Sequence, residues 1–326
     1  MTSCSQIIKK IKEAKNIAVF AHRGPDSDAC GSMLAFRDLC RILGKNAEAF
    51  CFKYSDYIKN NFDVKEFKSN FSAKNYDLVA FCDMHTAKRL DECYQEEFKK
   101  CQNVIIVDHH IISGNEVVAS DCARIIPKAS ASQLVLDLYR EIGQKPSKQV
   151  ANYLYAGLVG DTNRFLNSNL SKEVFEDATY LLECGAEVQK IYDKMYRSIS
   201  KKEMRLTKYL YGHLKYLQGG KVLYIIFTEK DYKKLDTTFE DIQLFSNTLI
   251  QIEGVEWSFL VYQVSKFHFR FSMRSAENID LVPLASKMKG GGHKNAAAFT
   301  KRMKKSQIKK SIEKWTNGVF NANKND

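Results

Sequence analysis

The sequence predicts an α/β protein: a parallel sheet with flanking helices in the first half, then a helical connection, then a smaller α/β domain. Three observations carry this reading. Short apolar runs alternate with amphipathic helical stretches through the first half, the pattern of strands buried on both faces and crossed by helices. Basic and acidic residues balance at 25 each through position 190 but stand at 25 and 13 beyond it, so the whole net charge of +12 belongs to the later part. The nine cysteines stop at Cys184. Two composition shifts at one place mark a boundary, giving domains at 1–185 and 213–326 with a helical linker over 186–212. The length of 326 residues gives each domain enough chain for a core.

The elements follow in order. Asn16–Ala21, Asp77–Cys82 and Asn103–Val107 read as buried strands, and Glu48–Phe52 as a weaker one. Ser32–Leu43 and Ala131–Ile142 read as helices between them. Residues 187–212 are polar and helical. Val222–Phe227 is a further buried strand. Phe267–Met273 alternates strictly, with aromatics on one face and His268, Arg270 and Ser272 on the other. Gly290-Gly-Gly-His293 follows, and then a Lys-rich helical tail whose Lys301, Arg302, Lys304, Lys305, Lys309 and Lys310 read as a solvated face.

Composition excludes several classes. Hydrophobic residues at 44% and charged residues at 27% are ordinary globular usage, so disorder, collagen and low-complexity chains are ruled out. The cysteines are odd in number and form no C-x-x-C pair, which argues against a disulfide framework or a zinc–thiolate site. A reducing cytoplasm is the simplest setting. The N-terminus lacks the apolar core of a signal peptide, and no run approaches a membrane span, so a membrane partner is not expected. The charge of +12 points instead to an anionic partner.

In a parallel sheet, ligands bind beyond the carboxyl ends of the strands. The first strand runs into His22, Asp26 and Asp28, the Asp77 strand into Asp83, and the Asn103 strand into Asp108-His109-His110. Gly157-Leu-Val-Gly-Asp161 ends a helix with another aspartate. Singly, an aspartate after a strand is more often a cap or turn residue. Jointly, unpartnered carboxylates in one cleft are costly unless divalent cations relieve them. Carboxylate and imidazole donors without thiolates favour Mn²⁺, with Mg²⁺, Co²⁺ or Fe²⁺ as alternatives. So many acidic donors suggest two ions that share a carboxylate and activate a water near neutral pH. His85 lies two residues beyond Asp83, but nothing else marks it and it is left out of the set.

The ordered pattern H-x-x-x-D-x-D, D, D-H-H resembles the DHH phosphoesterase family. The matching segments are His22–Ser32, Asp83 with Arg89, Asp108-His-His110 and Gly157–Thr162. Arg274-Ser275 and Gly290–Ala297 resemble its DHH-associated domain, so the likeness spans about 15–315. The resemblance implies a metal-binding catalytic domain and a substrate-binding domain with the active-site cleft between them. It implies one metal on His22, Asp26 and Asp83, and a second on Asp28, Asp83, His109 and Asp161. Asp108 would orient His109, and His110 would face the scissile phosphate. Gly31-Ser32 would open the following helix, whose N-terminus favours anions. Arg89, Arg274, Ser275, Gly290, Gly291, Gly292 and His293 would hold substrate. Two departures stand out: Asn163 replaces a common Gly, a position where Asn tolerates a left-handed backbone, and Ala298 replaces another.

Within the family, the chain resembles most the compact two-domain members. Those degrade oligoribonucleotides of a few residues (nanoRNA) and remove the 3′-phosphate of 3′-phosphoadenosine 5′-phosphate. Short RNA or nucleotides are therefore the expected substrates, and a homodimer is compatible with the sequence. A soluble phosphodiesterase for cyclic or linear dinucleotides is the nearest competing reading. A non-catalytic nucleic-acid-binding protein is the competitor from a different class.

Overall fold

A computed structural model describes residues 2–110, 112, 117–167, 169–197, 200–243, 245–276 and 278–320, with only the backbone for 240, 293 and 318–320. The chain divides into two units, Met1–Ser198 and Ile199–Asp326.

The first unit is built on a six-stranded sheet of β1 (Asn16–Phe20), β2 (Asn46–Phe50), β3 (Phe67–Lys68), β4 (Leu78–Cys82), β5 (Val104–Asp108) and β6 (Cys122–Ile125). Every pairing is parallel, in the order β3-β2-β1-β4-β5-β6. Each position of β4 and β5 is buried, as continuous apolar runs require when helices cover both faces. One face packs Ile17, Val19, Ala80 and Val107 against Ile7, Met33, Leu134, Leu154 and Leu181 from five helices. The other face is aromatic: Phe20 stacks on Phe50 at 5.1 Å and meets the edge of Phe71 at 4.9 Å. Strand order reverses between β1 and β4, so the crevice for a ligand opens at the carboxyl ends of these neighbours.

The helix expected from Ser32 begins five residues earlier and spans Ser27–Ile42. Asp26 caps it by accepting from the backbone N–H groups of Asp28 and Ala29. Gly31-Ser32 therefore lies inside the helix rather than opening it. Gly31 is needed for close packing: a Cβ there would stand 2.4 Å from the carbonyl oxygen of Tyr153 on the helix Lys148–Asp161. The stretch 187–212 is broken rather than continuous. Val188–Tyr192 and a π-helical turn at Asp193–Arg197 bury Ile191 and Met195 in the first unit's core. Lys201–Gly212, capped by Ser200, buries Leu206 and Leu210 in the second.

The second unit carries a mixed sheet of β7 (Lys215–Leu217), β8 (Val222–Phe227), β9 (Trp257–Ser265), β10 (His268–Ser275), β11 (Gly291–His293) and β12 (Ala296–Arg302), in the order β11-β12-β10-β9-β8-β7. The expected alternation in β10 holds for Phe269, Phe271 and Met273, which pack under the C-terminal helix. Trp315 of that helix meets the rings of Phe271 and Phe299 edge-on at 5.2 and 5.3 Å. The polar face of β10 is covered as well: buried Ser272 shares a 3.1 Å hydrogen bond with Ser246. Lys304, Lys305, Lys309 and Lys310 are exposed, as a solvated face requires. Among the described residues no helix is long and apolar enough to cross a membrane.

Candidate metal centre

The strand ends of β1, β4 and β5 and the end of the helix Lys148–Asp161 bring seven expected residues together. The ligand atoms of His22, Asp26 and Asp83 form one group, those of Asp28, His109 and Asp161 a second, and those of Asp83, His109 and His110 a third. Asp83 faces the first two. Its Oδ2 lies 3.4 Å from His22 Nε2, and its Oδ1 lies 3.2 Å from His109 Nε2. His109 Nε2 is also 3.1 Å from Asp161 and 3.9 Å from Asp28.

Two backbone carbonyls orient the imidazoles. His22 donates from Nδ1 to its neighbour Arg23 at 3.0 Å, and His109 donates from Nδ1 to Lys128 at 3.1 Å. Each ring therefore turns Nε2, the nitrogen a metal ligand would use, into the cluster. His22 Nε2, His109 Nε2 and Asp83 Oδ1 are all buried without a hydrogen-bond partner. Three such atoms around one carboxylate would be costly in a purely structural cluster, and they are what divalent cations in the two groups would satisfy.

The protonation pattern is that of a cluster short of positive charge. Burial raises Asp28 well above the ordinary carboxylate value, with Asp161 and Asp83 adding to it. Burial likewise pushes Asp161 up to about 6, against the lowering effect of His109. Burial alone would lower His109, but the facing carboxylates of Asp161 and Asp83 outweigh it and raise the ring to about 12. Asp83 is held below the usual range because His109 and His22 outweigh its burial. Asp28 is anchored by the helix Ala131–Glu141, whose first N–H groups, on Ala131 and Ser132, donate at 2.6 and 2.9 Å. Gly157 leaves room for this: a Cβ there would stand 2.7 Å from Asp28 Oδ1.

The structure corrects the expected role of Asp108. Its carboxylate does not orient His109, which the carbonyl of Lys128 holds. Asp108 is fully buried and accepts instead from His110 Nδ1 at 2.7 Å and from His85 Nδ1. His85, set aside on sequence, thus belongs to the site. Its spacing of two from Asp83 was the only available signal, and the left-handed backbone of Asp83 (φ 59°) supplies the turn that the spacing does not reveal. Arg89 sits near His22, where its charge opposes protonation of that ring.

The expected substrate residues of the second unit fall into different positions. Arg274 is half-buried and forms no ion pair among the described residues. Its Nε donates to Asn247 Oδ1 at 2.6 Å, a partner that no sequence signal revealed. Ser275 is buried, and its hydroxyl is used within the fold: it donates to Ile279 and accepts from Asn295. Gly290-Gly-Gly is not a free loop. Gly291–His293 is the sheet's edge strand, paired with β12, so only its outer rim is without a strand partner. Gly290 and Gly292 are required there, because a Cβ on either would meet the carbonyls of Ala298 and Ala296 at 2.2 and 2.3 Å. The side chain of His293 lies outside the described residues.

A carboxylate–imidazole cluster at the switch point of a parallel sheet defines an α/β protein equipped to hold divalent cations. Residues 16–158 match the DHH family N-terminal domain and residues 219–318 match the DHHA1 domain, so the chain belongs to the DHH family. It is 26% identical to the bifunctional oligoribonuclease and PAP phosphatase NrnA of Mycoplasma genitalium, over 90% of this chain and 91% of that protein. It is 25% identical to the NrnA of Bacillus subtilis, over 89% and 90% respectively. An exopolyphosphatase-related protein from Bacteroides fragilis shares the fold with a TM-score of 0.86 and 24% identity, over 95% of this chain and 94% of that one.

Proposed function

We propose that this protein is a manganese-dependent phosphoesterase that hydrolyses short oligoribonucleotides and the 3′-phosphate of 3′-phosphoadenosine 5′-phosphate. The observation that carries the metal dependence is that His22 Nε2, His109 Nε2 and Asp83 Oδ1, which line the two ligand groups around the Asp83 carboxylate, are buried and without a hydrogen-bond partner. The substrate class is supported by the NrnA relatives, which match nearly the whole chain.

In this reading His22, Asp26 and Asp83 hold one cation, and Asp28, Asp83, His109 and Asp161 hold the other. The donor set, oxygen and imidazole without thiolate, suits Mn²⁺. Such a pair of ions supplies Lewis acidity at phosphorus and lowers the pKa of water toward neutrality. Asp83 presents one oxygen to each group and fixes their spacing. Asp108 accepts a hydrogen bond from His110 Nδ1 and so fixes that ring; carrying a second proton on Nε2, the ring would supply that proton to the leaving oxygen. His85 holds Asp108 from the opposite side. Arg274, positioned by Asn247, and the open rim of β11 engage the substrate. Nine free thiols among the described residues support a reducing compartment such as the cytoplasm.

Hydrolysis of pApA, 3′-phosphoadenosine 5′-phosphate, a cyclic dinucleotide and a long single strand tests the reading, with the protein stripped of metal and then resupplied with Mn²⁺. Mn²⁺-dependent turnover of the first two is expected. Activity that survives exhaustive chelation would overturn the metal mechanism. Turnover confined to the cyclic dinucleotide would reassign the substrate, and tight binding to long RNA without any turnover would return a non-catalytic role.

A further inference from the structure

Two costly backbone features in the first unit converge on one side-chain pair. Asn163, Arg164 and Phe165 lie consecutively in the left-handed region, at φ 47°, 64° and 62°, directly after the helix that ends in Asp161. Asparagine accepts that conformation, but Arg and Phe are strained in it. The turn is held by a dense hydrogen-bond set. Arg164 donates its N–H to Val159 at 2.8 Å, and Phe165 donates to the hydroxyl of buried Thr162 at 3.2 Å. Asn167 Nδ2 ties the carbonyl of Asp161 at 3.0 Å. Phe165 is locked by stacking on Phe175 at 5.5 Å.

The second feature is the π-helical turn Asp193–Arg197, a form that occurs mostly as single turns at functional sites. It presents Tyr196, whose ring lies under the Arg164 guanidinium at 5.2 Å. Arg164 is exposed and forms no ion pair among the described residues. With one face on the ring, its N–H edges remain for a ligand, and that planar fork matches phosphate.

The pair stands beside the metal cluster. Gly160 lets the helix Lys148–Asp161 approach Ser27 so closely that a Cβ would stand 2.9 Å from the Ser27 Cβ. Ser27 lies between Asp26 and Asp28 and shares a 2.9 Å hydrogen bond with the hydroxyl of Tyr57. The helix Asp56–Asn61, which carries Tyr57, packs against the π-helical turn that carries Tyr196. Ser27, the helix of Tyr57 and the π-helical turn thus lead from the cluster to Arg164, three residues after Asp161 and without an ion pair among the described residues.

We propose that Arg164, seated on Tyr196, is a substrate-binding residue that takes the non-scissile phosphate of a nucleotide whose other phosphate is at the metal centre. This rests on the phosphoesterase reading above. Both substrates of that reading carry one such additional phosphate, the 5′-phosphate.

The test compares pApA with ApA, which lacks the 5′-phosphate. Affinities are measured by calorimetry with Ca²⁺ in place of Mn²⁺, so that binding is read apart from turnover. The wild-type chain should prefer pApA at least tenfold. Arg164→Asn removes the guanidinium while suiting the left-handed backbone, and should weaken pApA by about tenfold or more, leaving ApA unchanged. Arg164→Lys should keep part of the preference, and Tyr196→Leu should lose part of it. A wild-type chain that binds both alike, an unchanged preference in Arg164→Asn, or an equal loss on both ligands would each overturn the proposal. Hydrolysis of pApA by the wild-type chain with Mn²⁺ is scored separately, and its failure would sink the enzymatic reading rather than the binding role of Arg164.

Discussion

Asp83→Asn is the substitution that tests the centre most directly. Asp83 presents one carboxylate oxygen to an imidazole of each group, Oδ2 to His22 at 3.4 Å and Oδ1 to His109 at 3.2 Å. If each group holds one cation, Mn²⁺ at a hundred times its dissociation constant stabilises the folded chain by about 2.7 kcal/mol per site. For a unit of the size of Met1–Ser198 this is a rise of roughly 5–10 °C in melting temperature per site. Two sites should give two increments as Mn²⁺ is titrated into metal-stripped protein. Asp83→Asn removes the charge seen by both groups and should abolish most of the rise. His22→Ala touches only one group and should remove about half. Turnover in Asp83→Asn should fall by roughly a thousandfold. Scanning fluorimetry across a Mn²⁺ titration reads the stability, and pApA hydrolysis reads the rate. A wild-type melting response or wild-type turnover in Asp83→Asn would refute the shared-carboxylate arrangement.

Three further outcomes follow from the same geometry. His85→Ala should lower kcat about 10- to 100-fold while leaving the Mn²⁺ melting response intact, because His85 holds Asp108 and not a cation ligand; a change in the melting response with kcat preserved would contradict this. Burial pushes Asp161 up to about 6, so below that pH the carboxyl carries a proton that must leave before its oxygen can bind a cation. Mn²⁺ affinity should therefore fall by up to about tenfold per pH unit below pH 6, whereas an affinity flat from pH 7 to 5 would exclude Asp161 as a ligand. In Gly157→Ala the new methyl would meet Ser132 Oγ at 2.1 Å and Asp28 Oδ1 at 2.7 Å. The expected result is a loss of about 1–3 kcal/mol in stability together with weakened Mn²⁺ binding, and unchanged binding would place Asp28 outside the centre.

What was legible in the sequence was whatever depended on strand ends. His22, Asp83 and His109 directly follow or end apolar runs, and the sheet brings such positions together whatever the loops do. The roles of individual atoms were not legible, because they depend on backbone carbonyls and turns that carry no residue signature. Lys128 holds His109 through its carbonyl, so any side chain at 128 would serve. His85 reaches Asp108 only because Asp83 takes a left-handed turn that its residue type does not announce. The short strands β3 and β6, of two and four residues, were missed because they have too few apolar positions to show a period. Asn163 was read correctly as left-handed, but its extension through Arg164 and Phe165 was not, since neither residue favours that region.

Arg274 differs from the ion-paired arginines of the first unit, and this bears on what the surplus charge does. In the first unit Arg37 is matched within the fold by Asp38 and Glu66, and Arg124 by Asp137. These are structural pairs whose charges cancel locally. Arg274 in the second unit is half-buried, yet its partners are an amide oxygen and a carbonyl, Asn247 at 2.6 Å and Met273 at 2.9 Å. Neutral acceptors fix the direction of the guanidinium without cancelling its charge. Burying such a group is costly, and that burial already pulls its pKa down. A cation desolvated and oriented but left uncompensated is suited to an anion that arrives from outside. Asn247→Ala would free the side chain without changing the net charge. Loss of affinity for pApA in that variant, at unchanged salt dependence, would show that orientation at Arg274, rather than the unit's overall positive field, is what selects the substrate.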